Sequence, residues 1–553
     1  MRKKIISCMV ASALLLSIMT GCGGVTGGNQ PVSTEIKQAE NSESDEEMQI
    51  TYKYEQELNI LDDNYRNYYE IFVYSFCDSN GDGVGDLNGI TEKLDYIKDM
   101  GFNGIWLTPI MPSTTYHKYD VVDYKEIDEE FGTIEDFEKL VEECHKRDIR
   151  LIIDFVINHS SSKNDWFLEA CKYLGELPEG GEPSEEECPY FGYYNFSKEQ
   201  RSNTDYDVIG ADWYYEGSFW SEMPDLNLEN QNLRKEFEEI ADFWIEKGVD
   251  GFRMDAPLHY VEGNSTVNSE ILDWLYTYCK QKNPEFYMVS EVWANEMTIA
   301  DYYESQTPSM FNFDTSSIEG CLIKTAMGTS NAQKLVEKMV DYQTVYGAVN
   351  KDYIDAPFLT NHDQVRVANN LQSNPDNLKM AAGLLMMMNG NPFVYYGEEI
   401  GMKSTGQQDE NKRLPMRWSD SDSEGMTQGP KGCESDLEMA FSGVKEQLED
   451  PLSLLNYYKR ALRLRNENPE IARGTVSIVD PVTDGDIAAI TKEYDESKIA
   501  VVYNTSQEDV VVALTDSKLQ GLEIRGYLTL HGEEITLNED GIHLPGKSIA
   551  ILK

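Results

Sequence analysis

Three features of the sequence predict an α/β fold: a (β/α)8 TIM barrel with an inserted domain B after strand 3 and a C-terminal antiparallel β domain. Short apolar runs alternate with amphipathic stretches from about residue 71. The segment from His159 to about Glu222 is too long for a loop and is rich in Gly, Pro, Tyr and Glu. Beyond about residue 468 the pattern changes to alternating strands separated by turn residues.

The runs come in order as IFVYSF at 71, GIWLTP at 104, RLIIDFV at 150, GVDGFRMD at 248, FYMVSEV at 286, MFNFD at 310, APFLTNHD at 356 and PFVYYGEE at 392. They are β-branched and aromatic without strict alternation, as suits parallel strands covered on both faces. Helical patterns such as EDFEKLVEECHKR and NLRKEFEEIADFWIEKG lie between them. Eight such units make a barrel. The expected divisions are 59–159 and 223–467 for the barrel, 160–222 for the insertion and 468–553 for the β domain, where AAITKEY, IAVVYNTS, DVVVAL and SIAILK read as strands.

The N-terminus, MRKKIISCMVASALLLSIMTGC, has basic residues, an apolar run and then small residues before Cys22. That order reads as a secretory signal over 1–21, too short and wrongly flanked for a transmembrane helix. Met19-Thr20-Gly21-Cys22 resembles a bacterial lipobox, with Met19 where Leu is usual. The resemblance implies cleavage before Cys22 and lipidation of its thiol, so the expectation is a secreted protein anchored to the cell membrane. Residues 22–58, rich in Gly, Ser and Glu, read as a flexible tether.

The net charge of −51 argues against nucleic acid, because phosphate binding needs a basic face. The 33 tyrosines and 8 tryptophans supply either stacking surfaces or core packing. Seven cysteines beyond Cys8 and Cys22 show neither a disulfide framework nor a C-x-x-C pattern. Cys171 and Cys188 either pair across a loop or remain free thiols.

In a barrel of this kind chemistry sits at the C-terminal ends of the strands. Asp154 and His159 lie there on the third strand, Asp255 on the fourth, Glu291 on the fifth and His362-Asp363 on the seventh. Arg253 and Asp255, two residues apart, point the same way from a buried strand. A structural ion pair explains one such acid; it does not easily explain acids at four strand ends meeting at one mouth.

From residue 65 to the C-terminus the chain resembles the α-amylase family of glycoside hydrolases. The matching stretches are DFVINH (154–159), GFRMDAPLH (251–259), SEVW (290–293) and FLTNHD (358–363), with GFNGIWLTPI (101–110), MPDLN (223–227) and GNPFVYYGEEIGM (390–402). The resemblance implies Asp255 as nucleophile, Glu291 as general acid/base and Asp363 as the acid that grips substrate hydroxyls. A retaining pair needs carboxyls roughly 5 Å apart, with the acid protonated and the nucleophile ionised. Arg253 is then expected to orient Asp255 and favour its charged form, with Asp154 bracing Arg253. Tyr119 matches the aromatic that stacks on the −1 sugar, and His159 and His362 match histidines that bond its hydroxyls; Trp293 either lines a sugar subsite or only packs.

Tyr116, in YHKYD, stands where exo-acting relatives carry Asp, and MPDLN resembles the amylase and neopullulanase side; KRLPMRW (412–418) resembles an α-glucosidase motif instead. The expected activity is endo-acting hydrolysis of α-1,4-glucans such as starch and maltooligosaccharides. The alternatives are an exo-glucosidase or transglycosylase of the family and a non-catalytic starch-binding lipoprotein. DSNGDGVGD (78–86) places oxygen donors at alternating positions, as calcium loops do, but Gly89 stands where an EF-hand needs Glu. The resemblance is to a calcium loop after the first strand of some family members, with Asp78, Asn80, Asp82, Asp86 and the Val84 carbonyl as ligands. Asn158 matches a second calcium ligand whose partner acids the sequence does not identify.

Overall fold

A computed structural model describes residues 63–406, 408–435, 437–514 and 518–553. The expected signal segment, the tether and Cys22 lie outside the described residues.

Eight parallel strands form a nearly closed barrel: β1 (Tyr68–Ile71), β2 (Gly104–Leu107), β3 (Arg150–Phe155), β4 (Gly251–Met254), β5 (Tyr287–Ser290), β6 (Ser309–Asn312), β7 (Ala356–Pro357) and β8 (Phe393–Tyr395). Neighbours pair in chain order from β1 to β7, β8 pairs with β1, and a parallel bridge between Phe358 and Phe393 joins β7 to β8. Strand residues are buried almost throughout, which is why the runs read as continuously apolar. Gly251 opens β4 because a Cβ there would lie 2.1 Å from the Tyr287 carbonyl oxygen on β5.

The first run departs from expectation. The strand is YYEI, ending at Ile71, and Val73–Phe76 forms a single helical turn. Val73 and Phe76 are buried in that turn as they would be in a strand, and a short apolar run does not distinguish the two by periodicity. The shift places Glu70 inside β1.

Local chemistry starts the covering helices. Thr133 and Asp136 form a reciprocal capping box ahead of Ile134–His145, and Asn230 caps Gln231–Glu246 through the amides of Asn232 and Leu233. Between β3 and β4 the chain makes a helix (Asp165–Glu176) and a small antiparallel sheet in which Tyr214–Glu216 lies between Phe196–Ser197 and Asp205–Asp207. A bridge between His159 and Asp225 ties the two ends of this excursion beside the barrel mouth.

From Thr475 onward the strands are antiparallel. A five-stranded sheet orders Thr475–Ile478, Ile487–Tyr494, Ser497–Asn504, Ser548–Leu552 and Ile524–Leu528, and a three-stranded sheet holds Val510–Val512, Gly541–Leu544 and Thr536–Asn538. Their own apolar cluster includes Val502, Ile542 and Leu552. Buried lysines fasten these sheets to the barrel through carbonyl oxygens. Lys492 Nζ donates to the carbonyls of Met387 and Ile471, and Lys379 Nζ to that of Leu530. Cys171 and Cys188 are free thiols, as are the other cysteines among the described residues.

Candidate active site

Asp154 on β3 stands directly opposite Arg253 on β4 in the strand register, so the sheet itself sets that pair. Arg253 has no exposed surface. Its Nη1 donates to Asp154 Oδ1 at 2.8 Å and to Asp255 Oδ1 at 2.6 Å. Its Nη2 lies 2.7 Å from Glu291 Oε2, and its guanidinium sits over the rings of Trp106 and Tyr119. One buried cation therefore gathers the carboxyls that follow β4 and β5 together with that of β3. The backbone supports the arrangement, since the Glu291 N–H donates to the Met254 carbonyl at 3.0 Å. Ala256, next to Asp255, adopts the left-handed conformation at φ 48° and ψ 48°. Such a geometry costs a non-glycine residue about 1–2 kcal/mol and persists only where its surroundings enforce it.

A second chain of contacts reaches Asp363. Glu70 Oε1 accepts from His362 Nδ1 at 2.6 Å, and His362 Nε2 lies 2.7 Å from the Tyr119 hydroxyl and 3.1 Å from Asp363 Oδ2. The Tyr119 hydroxyl donates to Asp154 Oδ2 at 3.0 Å, and its ring stacks on His362. On the far side, Arg413 Nη2 donates to Asp363 Oδ1 at 2.7 Å, its Nη1 donates to the Tyr116 hydroxyl at 2.9 Å, and Lys412 Nζ donates to the Asp363 carbonyl.

The acids differ in ionisation. Burial pushes the Glu291 carboxyl up to about 8, with Arg253 opposing and Asp255 adding to the rise. Burial alone would raise Asp363 too, but His362 and Arg413 hold it well below the usual carboxylate range. Burial raises Asp154 to about 6 against the pull of Arg253. His362 is lifted to about 10, because Asp363 and Glu70 outweigh its burial. Burial lowers His159 below the ordinary histidine value, against the pull of Asp255.

These groups open onto a cleft of about 470 Å³ lined by His117, Tyr119, His159, Asp255, Glu291 and Asp363. Phe219 and Trp220 from the inserted segment face it, as does Trp293, whose ring stacks on Phe313 at 4.8 Å and is half exposed. The cleft thus combines carboxyls with aromatic faces, the lining that sugar rings require.

All the expected catalytic residues lie at this mouth. His159 lines the cleft, and its buried Nε2 has no hydrogen-bond partner among the described residues. Arg253, expected to orient Asp255, and His362, expected to bond sugar hydroxyls, have no exposed surface; Arg253 contacts Asp255 and Glu291 as expected, whereas His362 meets Tyr119 and Asp363 and is sealed from the cleft. Sequence reasoning missed Glu70 and His117 and left Arg413 without a role. Glu70 precedes the run IFVYSF and so fell outside the expected first strand, although the structure places it inside β1; the other two sit in loops without periodicity.

The loop 78–86 lies apart from this cluster. Asp78 Oδ1 accepts from the amides of Asn80 and Gly81, Asn80 Oδ1 from that of Asp82, and Asp82 Oδ1 from that of Val84, with Gly81 and Gly83 at positive φ. Asp86 has a second task, capping the helix Leu87–Glu92 through the Gly89 amide while accepting from Ser79. Among the described residues no group of three or more acidic, His or Cys side chains converges as a metal site. Asn158, considered as a second calcium ligand, has one acid near it: its Nδ2 lies 3.4 Å from Asp225 Oδ1, and its buried Oδ1 has no partner among the described residues.

A barrel with carboxyls gathered at the C-terminal mouth and aromatic flanks defines a glycosidase-type site. Residues 70–474 match the family model described as alpha amylase, catalytic domain, and the chain belongs to that family of hydrolases. It is 38% identical to Alpha-amylase 3 of Dictyoglomus thermophilum over 452 residues, covering 80% of this chain and 85% of that protein. It is 32% identical to a glucan 1,6-alpha-glucosidase of Streptococcus pneumoniae over 504 residues, covering 80% and 91%. Among solved structures it is similar to Eubacterium rectale Amy13B, with a TM-score of 0.86 and 43% identity over 90% of this chain and 96% of that one.

Proposed function

We propose that the protein hydrolyses internal α-1,4 bonds of α-glucans with retention of configuration. The observation that carries this reading is the Arg253 clamp, which holds Asp255 and Glu291 on one guanidinium beside the cleft. A retaining pair needs a separation of roughly 5 Å. Asp255 attacks the anomeric carbon while Glu291, protonated through its burial, gives its proton to the departing glycosidic oxygen. Water then enters with Glu291 as base, breaking the Asp255–sugar bond. Asp363, held as a carboxylate by His362 and Arg413, bonds sugar hydroxyls. Tyr119 supplies the stacking face, and His159 Nε2 is free to bond a hydroxyl. Trp220 and Trp293 flank the cleft where further glucose units of a chain stack.

Internal cleavage is supported by Tyr116, which supplies no carboxylate to clamp a chain end. Starch–iodine colour is expected to fall while few reducing ends have formed, and a maltoheptaoside blocked at its non-reducing end should yield mid-sized fragments. Glucose as the sole early product, with lasting iodine colour, would favour exo-action, which the place of Arg413 in the cleft also suits.

The 78–86 loop is proposed to hold calcium through Asp78, Asn80, Asp82, the Val84 carbonyl and Asp86. The donors are all oxygen, as a hard cation requires, and the loop's own amides already preshape it. The ion would brace the loop after β1 and takes no part in bond cleavage. Anchoring through Cys22 is a further proposal, resting on the N-terminal sequence alone.

A further inference from the structure

Tyr68 stacks on Tyr287 and Phe393 inside the barrel, and alternate residues of a strand share a face, so Glu70 points into the barrel as well. It is buried, and its neighbours in the register, Trp106 on β2 and Tyr395 on β8, carry no charge to offset it. The compensating group comes from the loop after β7. Glu70 Oε1 accepts from the ring Nδ1 of His362 at 2.6 Å and from the His362 backbone amide at 3.2 Å. Burial pushes the Glu70 carboxyl up and His362 pulls it back down, so each charge depends on the other.

A count of protons fixes the state of that ring. The Tyr119 hydroxyl has one proton and donates it to Asp154 Oδ2, so toward His362 Nε2 its oxygen can only accept. Asp363 Oδ2, the other neighbour of Nε2, belongs to a carboxylate and also accepts. Nε2 therefore carries a proton. At the opposite end Nδ1 meets a Glu70 oxygen that takes two N–H groups, as a carboxylate oxygen does. Both ring nitrogens then donate, which only the imidazolium can do. The other charged groups around the ring are Arg253 and Asp154, which meet Tyr119, Arg413, whose Nε donates to the His362 carbonyl, and Glu291, whose ionisation His362 opposes raising. We propose that Glu70 is a positioning residue of the hydrolytic site, holding His362 as the imidazolium whose Nε2–H keeps Asp363 and Tyr119 in place. Without that charge Nε2 would turn from donor to acceptor. Tyr119 would then have to give it the proton now given to Asp154, and Asp363 would face a lone pair. The inference rests on the α-glucan reading above for the reaction that suffers, and on the barrel geometry for the charge itself.

The test pairs two measurements on the full chain across pH: nitrogen NMR of labelled histidines, with His362 assigned from its loss in His362→Gln, and kcat/KM on maltoheptaose. In the parent both His362 nitrogens should stay protonated at about pH 8, with a midpoint near 10. Glu70→Gln keeps an oxygen for Nδ1 but removes the negative charge. That disfavours the imidazolium, so the midpoint should fall by about one unit or more. Relative to the parent at the same pH, kcat/KM should drop by about tenfold at about pH 8 and stay within about threefold at about pH 5.5, where the imidazolium persists. Glu70→Asp restores a carboxylate and should bring the midpoint back above that of Glu70→Gln. A neutral His362 in the parent at about pH 8, a midpoint unmoved in Glu70→Gln, or an equal loss of kcat/KM at both pH values would overturn the proposal and leave Glu70 a buried filler of β1. The parent spectrum decides the first of these without any variant. A parent inactive on α-glucans would overturn the α-glucan reading, while the midpoints, which need no substrate, still decide whether Glu70 holds the charge on His362.

Discussion

Arg253 carries the largest burden of any single side chain. With no exposed surface, it depends wholly on Asp154, Asp255 and Glu291 for compensation of its charge. The same cluster fixes a pH dependence. In the mechanism proposed above Glu291 acts first as an acid, so its protonated form would be the active one, and raising the pH through about 8 removes it. The alkaline limb of kcat/KM should therefore fall near pH 8. Glu291→Gln should lower kcat by about 10²–10⁴-fold without loss of folded structure by circular dichroism. Asp363 gives a different expectation, because it stays charged across the working range. Its weakness is its anchor: Arg413→Ala should cut kcat/KM on α-glucans by on the order of 10²-fold. Arg413→Lys should recover only part, since an ammonium cannot hold Asp363 and Tyr116 with the planar fork seen here. Equal activity of the parent and Arg413→Ala would show that Asp363 needs no such support.

At the scale of elements, the strand ends do the positioning and the loops do the selecting. Register sets Asp154 opposite Arg253, and Asp255 and Glu291 come directly after the ends of β4 and β5, whereas Tyr119, His159, Trp220 and Arg413 come from connections of different length. The 78–86 loop belongs to this scale. An ion that binds only the folded state stabilises it by mass action, about 2.7 kcal/mol at a hundredfold excess over Kd. Chelation should lower Tm, and Asp82→Ala should abolish the response to added calcium while leaving kcat of the folded enzyme near the parent value. An unchanged Tm in chelator would remove calcium from the loop. The helical turn after β1 shows why this level is hard to read from sequence. The chain leaves the strand at Ile71, yet Val73 and Phe76 stay buried in the turn, so the apolar run IFVYSF does not by itself tell strand from turn.

For the whole molecule, the loops at the barrel mouth and the segment between β3 and β4 line the cleft, and the proposed lipid anchor concerns where that cleft would be displayed. Cys22→Ser should release active enzyme to the medium if lipidation holds the protein at the membrane. A variant that still fractionates with membranes as the parent does would place the anchor elsewhere.

The barrel was legible because eight buried parallel strands leave eight continuous apolar runs, and burial on both faces is a local property of each run. The acids were legible because Asp255, Glu291 and Asp363 each follow such a run, where a barrel puts its chemistry. Even the Arg253–Asp255 pair was legible, being two residues apart. The contacts that complete the site join residues far apart in sequence: Glu70 to His362, Arg413 to Asp363 and Tyr116, Asp154 to Arg253. No local period encodes such pairs. By itself the sequence determined which residues could do the chemistry. Only the closing of the barrel decided that Arg253 and His362 would be sealed beneath the acids they serve, because burial and partnership of a side chain depend on every strand that surrounds it.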